Sequence, residues 1–149
     1  MANLYVLIRL PGSGKSTLAH KVFSDCVIME SDALRQELFG DAADQQNPEL
    51  VFSLLNQRTA DALAAGKNVC YDATNYLKAY RKSMLDIVPE NVRRIAVFLD
   101  VDPSVCRKRN AQWERVVLDS VIESMDQALE VPDDSENWDE IFYIISLDP

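Results

Sequence analysis

Residues able to do phosphate chemistry concentrate in one short run, Pro11-Gly12-Ser13-Gly14-Lys15-Ser16-Thr17. Gly12 and Gly14 let backbone N–H groups close around phosphate oxygens, and a helix opening at Lys15 adds the positive end of its dipole. Lys15 has the length to reach the β- and γ-phosphates of a nucleoside triphosphate, and the Ser16 hydroxyl is a hard oxygen ligand suited to Mg²⁺. A phosphate loop of this kind needs a strand before it and a helix after it. Residues 4–8 are a continuous apolar run of strand length, and residues 15–24 read as a helix. Gly12, Ser13, Gly14, Lys15, Ser16 and Thr17 are therefore the expected nucleotide-binding residues. One position departs from the full pattern G-x-x-x-x-G-K-[ST], which places its first glycine where this chain has Arg9. Arg9 either points away, adds a phosphate contact, or obstructs the nucleotide. The intact Gly-Ser-Gly-Lys-Ser core predicts that binding is retained.

Three further groups bear on the same chemistry. Asp32 and Arg35 stand at i and i+3 just past a second strand, so one helix face carries both toward the carboxyl edge of a sheet. The carboxylate there suits proton abstraction from a hydroxyl, and the guanidinium suits a bidentate grip on phosphate. The alternative for this pair is a helix cap plus a solvent-facing arginine. Asp72-Ala73-Thr74-Asn75 follows a third strand, where Asp72 would orient Arg35 or assist Mg²⁺ through water; an ordinary turn explains the same residue types. Arg107, Lys108, Arg109 and Arg115 cluster at about 107–117, as a closing lid would require. A solvated basic turn is the plainer reading.

The elements that must position these groups alternate regularly. Strands are expected at 4–8, 26–29, 68–71, 94–101 and 142–146, and helices at 15–24, 33–39, 48–65 and 79–88. Val117, Val121, Met125, Ala128 and Leu129 recur at helical spacing near the end. Ser31 or Asp32 would cap the second helix, Asn47-Pro48 would start the third with Gly66 ending it, and Asp102-Pro103 would open another. Such alternation predicts an α/β fold with about five parallel strands and helices on both faces. No linker or repeat divides the chain, so 1–149 is read as a single domain.

Composition agrees with an ordinary globular chain: 48% apolar and 26% charged residues in 149. The apolar runs are too short to cross a bilayer, and Arg9 interrupts the first, so neither a membrane span nor a secretory leader is expected. Three widely spaced cysteines (Cys26, Cys70, Cys106) read as reduced thiols, which places the chain in the cytoplasm. The single histidine, His20, argues against zinc. Net charge is −9, distributed unevenly: residues 1–115 carry all 15 Lys and Arg and sum to +1, whereas 116–149 carry no basic residue. An acidic chain is a poor non-specific binder of nucleic acid, but the near-neutral first part can still hold a basic groove. The acidic end reads as a solvated face, with docking of a basic protein partner as the alternative.

Taken in order, "LPGSGKSTLA", "SDALR", "YDATN" with Arg81 downstream, "CRKRNAQWERVV" and "VIESMDQALEVPDDSENWDEI" resemble the polynucleotide kinase family of P-loop phosphotransferases, over about residues 4–145. The resemblance implies a P-loop NTPase of the nucleoside-monophosphate-kinase-like type with a short lid. It implies ATP and Mg²⁺ held by Lys15 and Ser16, Asp32 as general base on a 5′-hydroxyl, and Arg35 on a neighbouring 3′-phosphate. Asp72 would support Arg35, Asn75 would belong to the acceptor site, and Arg109 and Arg115 would come from the lid. The implied acceptor is single-stranded or end-exposed nucleic acid. Lids of this family often carry arginine near the position of Trp113 and proline near that of Val117, so the lid departs as well. Two other readings follow: a small-molecule kinase acting on a sugar, nucleoside or antibiotic, and a nucleotide-binding protein with weakened or lost catalysis. Asp100-Val101-Asp102 matches the Asp-x-Asp opening of aspartyl-phosphate phosphatases, but helix capping by Asp102 accounts for it.

Overall fold

The computed structural model describes residues 2–8, 10, 15–41, 44, 46–110 and 119–144, with the backbone alone for 15–18 and 109–110. Five strands form one all-parallel sheet: β1 (Asn3–Ile8), β2 (Val27–Glu30), β3 (Val69–Asp72), β4 (Arg93–Leu99) and β5 (Glu140–Ile144), in the order β2-β3-β1-β4-β5. The helices are α1 (Lys15–Val22), α2 (Ser31–Phe39), α3 (Pro48–Ala64), α4 (Lys78–Leu85), α5 (Pro103–Asn110) and α6 (Asp119–Ala128). β1 occupies the centre because it is apolar on both sides; Leu4, Val6, Leu7 and Ile8 have no exposed surface.

The two-residue period of the strands sorts the core into two layers. Leu4, Val6 and Ile8 of β1, with Val69 and Tyr71 of β3, pack under Val51, Leu55 and Leu63 of α3 and Met84 and Leu85 of α4. Leu7, Cys70, Ile95, Val97 and Leu99 face the other way, toward Ala19 of α1. Each fully buried leucine or valine adds roughly 1.5–3 kcal/mol. A third, smaller cluster joins Leu10 to Cys106 of α5 and Ile122 of α6. The chain leaves β1 for the sheet edge at β2, returns to β3, and then crosses to β4. Connections therefore diverge from the centre, and the crevice they leave lies at the carboxyl ends of the strands.

The local signals for α3 and α5 act as expected. Asn47 Oδ1 accepts from the Leu50 N–H at 3.3 Å with Pro48 in the first turn, and Gly66 ends the segment at φ +83°. Asp102 Oδ1 accepts from both the N–H and the hydroxyl of Ser104, at 2.8 and 2.7 Å, and those bonds hold its carboxyl below the usual range. Most other boundaries differ by one or two residues, and the end of α4 by three. The helix expected at 33–39 begins at Ser31, and neither Ser31 nor Asp32 caps it. Glu30 holds the cap position in an extended conformation with no side-chain cap bond, because β2 runs straight into the helix. α1 stops at Val22 rather than 24, and α4 covers Lys78–Leu85 rather than 79–88, with single-turn bonds carrying the chain to Pro89. β5 begins two residues early, at Glu140, where Asp139 N–H reaches the Arg94 carbonyl at 2.8 Å and sets its register on β4. No helix among the described residues is long and apolar enough to cross a membrane.

Candidate functional site

Strand register builds the site. Leu7 of β1 and Glu30 of β2 both stand opposite Asp72 of β3, so three strands end in one row. From that row β1 leads toward the phosphate loop, β2 passes directly into α2, and β3 into the turn at 73–77. The sequence-identified groups Asp32, Arg35, Asp72 and Asn75 therefore emerge from two neighbouring strands beside the one that feeds Lys15. Lys15, Ser16 and Thr17 form the first turn of α1, placing backbone N–H groups at the mouth of the loop. Arg9, Gly12, Ser13, Gly14, Trp113, Arg115 and Val117 lie outside the described residues, as does the Arg109 side chain.

Asp32 lies in the first turn of α2 and Arg35 one turn on. Arg35 is buried, with 6% of its surface exposed. Its Nη1 lies 3.5 Å from Asp32 Oδ1, and its guanidinium carbon sits 5.5 Å from the centre of the Phe52 ring. Arg35 Nε is buried without a hydrogen-bond partner among the described residues. The plainer reading of this pair, a cap with a solvent-facing arginine, fails on both counts. The ion-pair partner of Arg35 is Asp32 rather than Asp72, because both sit on α2 at adjacent turns. A buried cation with donors to spare is costly unless an anion completes it.

Asp72 is 2% exposed at the end of β3. Burial pushes the Cys70 thiol up, and the neighbouring Asp72 carboxylate adds to the shift. Asn75 is buried too, but its amide nitrogen donates to two backbone carbonyls, Leu7 at 2.8 Å and Ala73 at 3.2 Å. It thus ties β1 to β3 at the row's end, a job that no sequence spacing announced because Leu7 lies 68 positions away. Its φ of +50° is one that asparagine tolerates better than most residues.

The lid region is described in part. Arg107 Nη1 lies 3.9 Å from Glu123 Oε1, a long ion pair between α5 and α6. Beyond α6 the acidic end proves to be largely used inside the molecule, not simply solvated. Arg81, fully buried, donates from Nε to Glu136 Oε1 at 2.7 Å and from Nη2 to Oε2 at 3.0 Å, and Glu136 is itself 8% exposed. Lys78 pairs with Asp133 at 2.7 Å, Arg93 with Glu140, and the Arg94 N–H with Asp139 at 2.7 Å. Composition could not reveal this, because the basic partners belong to the near-neutral part of the sequence.

No curated protein sequence matches the chain. Its fold is similar to a chain in an RNA repair complex of Pnkp1, Rnl and Hen1, with a TM-score of 0.77, 23% identity and 86% of this chain covered. This chain spans 44% of that one, less than half its length. It is similar as well to a fungal RNA kinase (TM-score 0.69, 16% identity, 99% of this chain and 76% of that one). A gluconokinase from Sinorhizobium meliloti 1021 gives a TM-score of 0.62 at 18% identity, over 95% of this chain and 81% of that one. The family model described as an AAA domain matches residues 4–132. With its parallel five-stranded sheet and strand–loop–helix at the centre, the chain belongs to that AAA domain family and has the fold of the P-loop kinases.

Proposed function

We propose that the chain is an ATP- and Mg²⁺-dependent phosphotransferase that moves the γ-phosphoryl group to a 5′-hydroxyl of DNA or RNA. The observation that supports this reading best is Arg35, a buried guanidinium with one ion contact at 3.5 Å, the Phe52 ring beside it and an Nε without a partner among the described residues. An oxyanion arriving from solvent completes such a group, and the phosphate of a polynucleotide acceptor supplies one. A neutral sugar does not. With the acceptor anchored there, Asp32 is the general base. It takes the hydroxyl proton as the new O–P bond forms and the bond from the γ-phosphorus to the bridging oxygen breaks. Lys15 and the α1 N-terminus neutralise the phosphates, and Arg109 and Arg115 approach from the lid. Positioning and charge stabilisation supply most of the rate.

The donor chemistry fits Mg²⁺: the Ser16 hydroxyl and the buried Asp72 carboxylate are hard oxygens. When bound, the metal neutralises charge on the β- and γ-phosphates. Asp72, Asn75 and the strand ends keep that edge in register.

The acidic balance and the similarity to a gluconokinase favour a second reading, a small-molecule acceptor. Transfer of labelled γ-phosphate from Mg-ATP decides between them. A 5′-hydroxyl oligonucleotide and a panel of sugars serve as acceptors, with Arg9→Gly assayed beside the natural chain. Labelled oligonucleotide, suppressed by a 3′-phosphorylated mononucleotide, is the expected result. Label on a sugar alone replaces the acceptor. ATP binding with no transfer by either protein replaces the enzyme with a nucleotide-binding module.

A further inference from the structure

Glu136 lies 61 positions beyond Asn75 and outside any strand or helix, yet a continuous chain of bonds joins the two. Glu136 grips Arg81 through both carboxylate oxygens. Arg81 Nη1 donates to the Asn75 carbonyl at 2.8 Å. Asn75 in turn donates to the Leu7 carbonyl at 2.8 Å, where the β1–β3 ladder runs out at Asp72. Every side chain in the series is buried: Arg81 at 0%, Asn75 at 6% and Glu136 at 8% exposed. The acidic segment is fastened to the same turn twice more. The Glu130 N–H donates to the Tyr76 carbonyl at 2.8 Å, and Glu130 Oε1 accepts from the Lys78 N–H at 3.1 Å. Three positions beyond Leu7, Leu10 packs against Cys106 and Ile122, so the helix that precedes the acidic segment also bears on the phosphate-loop entrance.

We infer that Glu136, Arg81 and Asn75 form a positioning relay that fixes the carboxyl end of β1, and with it the phosphate loop, for phosphoryl transfer. The physical basis is the left-handed backbone of Asn75, which is held by what surrounds it. Arg81 clamps its carbonyl, and Glu136 keeps Arg81 from turning. The Asn75 amide then presents its N–H to Leu7 at a fixed angle. Asn75 on this account touches neither nucleotide nor acceptor. The inference rests on the phosphotransfer reading above.

The test uses the full chain with Asn75→Gly, Glu136→Gln, both together, and Arg81→Lys. Glycine adopts a φ of +50° readily, so Asn75→Gly removes the amide without straining the turn. Mg-ATP affinity is read by calorimetry, and kcat and acceptor KM by transfer kinetics. Thermal melts verify the fold of each variant. Asn75→Gly is expected to weaken Mg-ATP binding and lower kcat roughly 10–100-fold together, with acceptor KM unchanged. Glu136→Gln should show the same split at smaller size, and the double variant should lose no more than Asn75→Gly alone. Arg81→Lys, which keeps the charge but not the three directed bonds, should show the split as well. A rise confined to acceptor KM would make Asn75 an acceptor contact and overturn the relay. So would strictly additive losses, or unchanged nucleotide affinity and kcat in folded variants. If the natural chain binds Mg-ATP but labels no acceptor, the transfer reading fails while the affinity series still decides the relay. If it binds no nucleotide, both fall.

Discussion

Replacing Arg81 by methionine removes the cation from the most deeply buried ion pair in the described structure. Its guanidinium has no exposed surface, and Glu136 is left at 8% exposure with one remaining hydrogen bond, from the Asp133 N–H at 3.2 Å. Breaking a buried pair from one side costs about 3–5 kcal/mol, since the surviving charge stays desolvated. Loss of the donor to the Asn75 carbonyl acts in the same direction, while the apolar methionine stem offsets part of the cavity. At a chain length of about 150 residues each kcal/mol moves Tm by roughly 2–4 °C. The expected fall for Arg81→Met is therefore about 6–20 °C, with a matching shift of the urea midpoint at unchanged slope. Arg81→Met combined with Glu136→Leu removes both charges and should recover most of that loss. Chemical denaturation of the two singles and the double gives the coupling directly. An Arg81→Met loss below about 1 kcal/mol, or a double variant equal to the sum of the singles, would refute the claim that desolvated charge dominates here.

Other consequences are smaller or more local. Asp32→Asn should lower kcat by about 10²–10⁴ while leaving Mg-ATP affinity intact, and equal turnover would remove Asp32 as the base. Tyr71 donates to Asn56 Oδ1 at 2.6 Å from a largely buried position, so Tyr71→Phe should lose about 0.5–1.5 kcal/mol by urea unfolding; no loss would mean that water replaces the bond. The Lys78 ammonium and the Ser135 bonds hold the Asp133 carboxyl well below the carboxylate range, and Asp133 in turn raises Lys78. A lowered acid stabilises above its ordinary value and loses that contribution as pH falls through the folded one. A raised base contributes below its ordinary value and loses it as pH climbs through the folded one. The tie should thus persist from about pH 4 to pH 10. The Ser135 amide shift, followed by NMR, should stay flat down to pH 4. A titration midpoint at the ordinary aspartate value would contradict the contact.

What the sequence revealed depended on how far apart the interacting residues lie. β1 and α1 lie within a few residues of each other along the chain, so type and order sufficed to place both. Asn47-Pro48 and Asp102-Pro103 act within three residues of themselves, and both caps form. Asp32 was ambiguous because cap and first-turn positions favour the same residue types; only the continuity of β2 into α2 moves the cap to Glu30. The Asn75–Leu7 bond and the pairing of 130–140 with Lys78, Arg81, Arg93 and Arg94 span 45 positions or more, and nothing in local composition encodes them. A run of ten acids without a base reads as repulsive and solvated when taken alone. Folded, three of the six carboxylates at 130–140, Asp133, Glu136 and Glu140, meet the cations of α4 and β4.

Three buried arginines separate structure from chemistry in this fold. Arg81 is held by a bidentate carboxylate and a carbonyl. Arg94 turns its guanidinium onto the carbonyls of Val88, Pro89 and Val92, closing the bend between α4 and β4. The desolvation cost of Arg81 is offset by partners the chain itself supplies. Arg94 has three carbonyl partners for its Nη groups, although its Nε, like that of Arg35, is buried without one among the described residues. Arg35 is as buried as Arg94, at 6% against 8% exposed, but has one ion contact at 3.5 Å and the face of Phe52. Cation–π attraction of about 0.5–2 kcal/mol offsets little of what burying a guanidinium costs. A residue left in that state at the carboxyl edge of a parallel sheet is stabilised when an anion binds. Ligand binding should therefore raise Tm through Arg35 in particular. Inorganic phosphate or a 3′-phosphorylated nucleotide should stabilise the natural chain measurably, and Arg35→Met should abolish that shift while itself melting no lower than the unliganded parent.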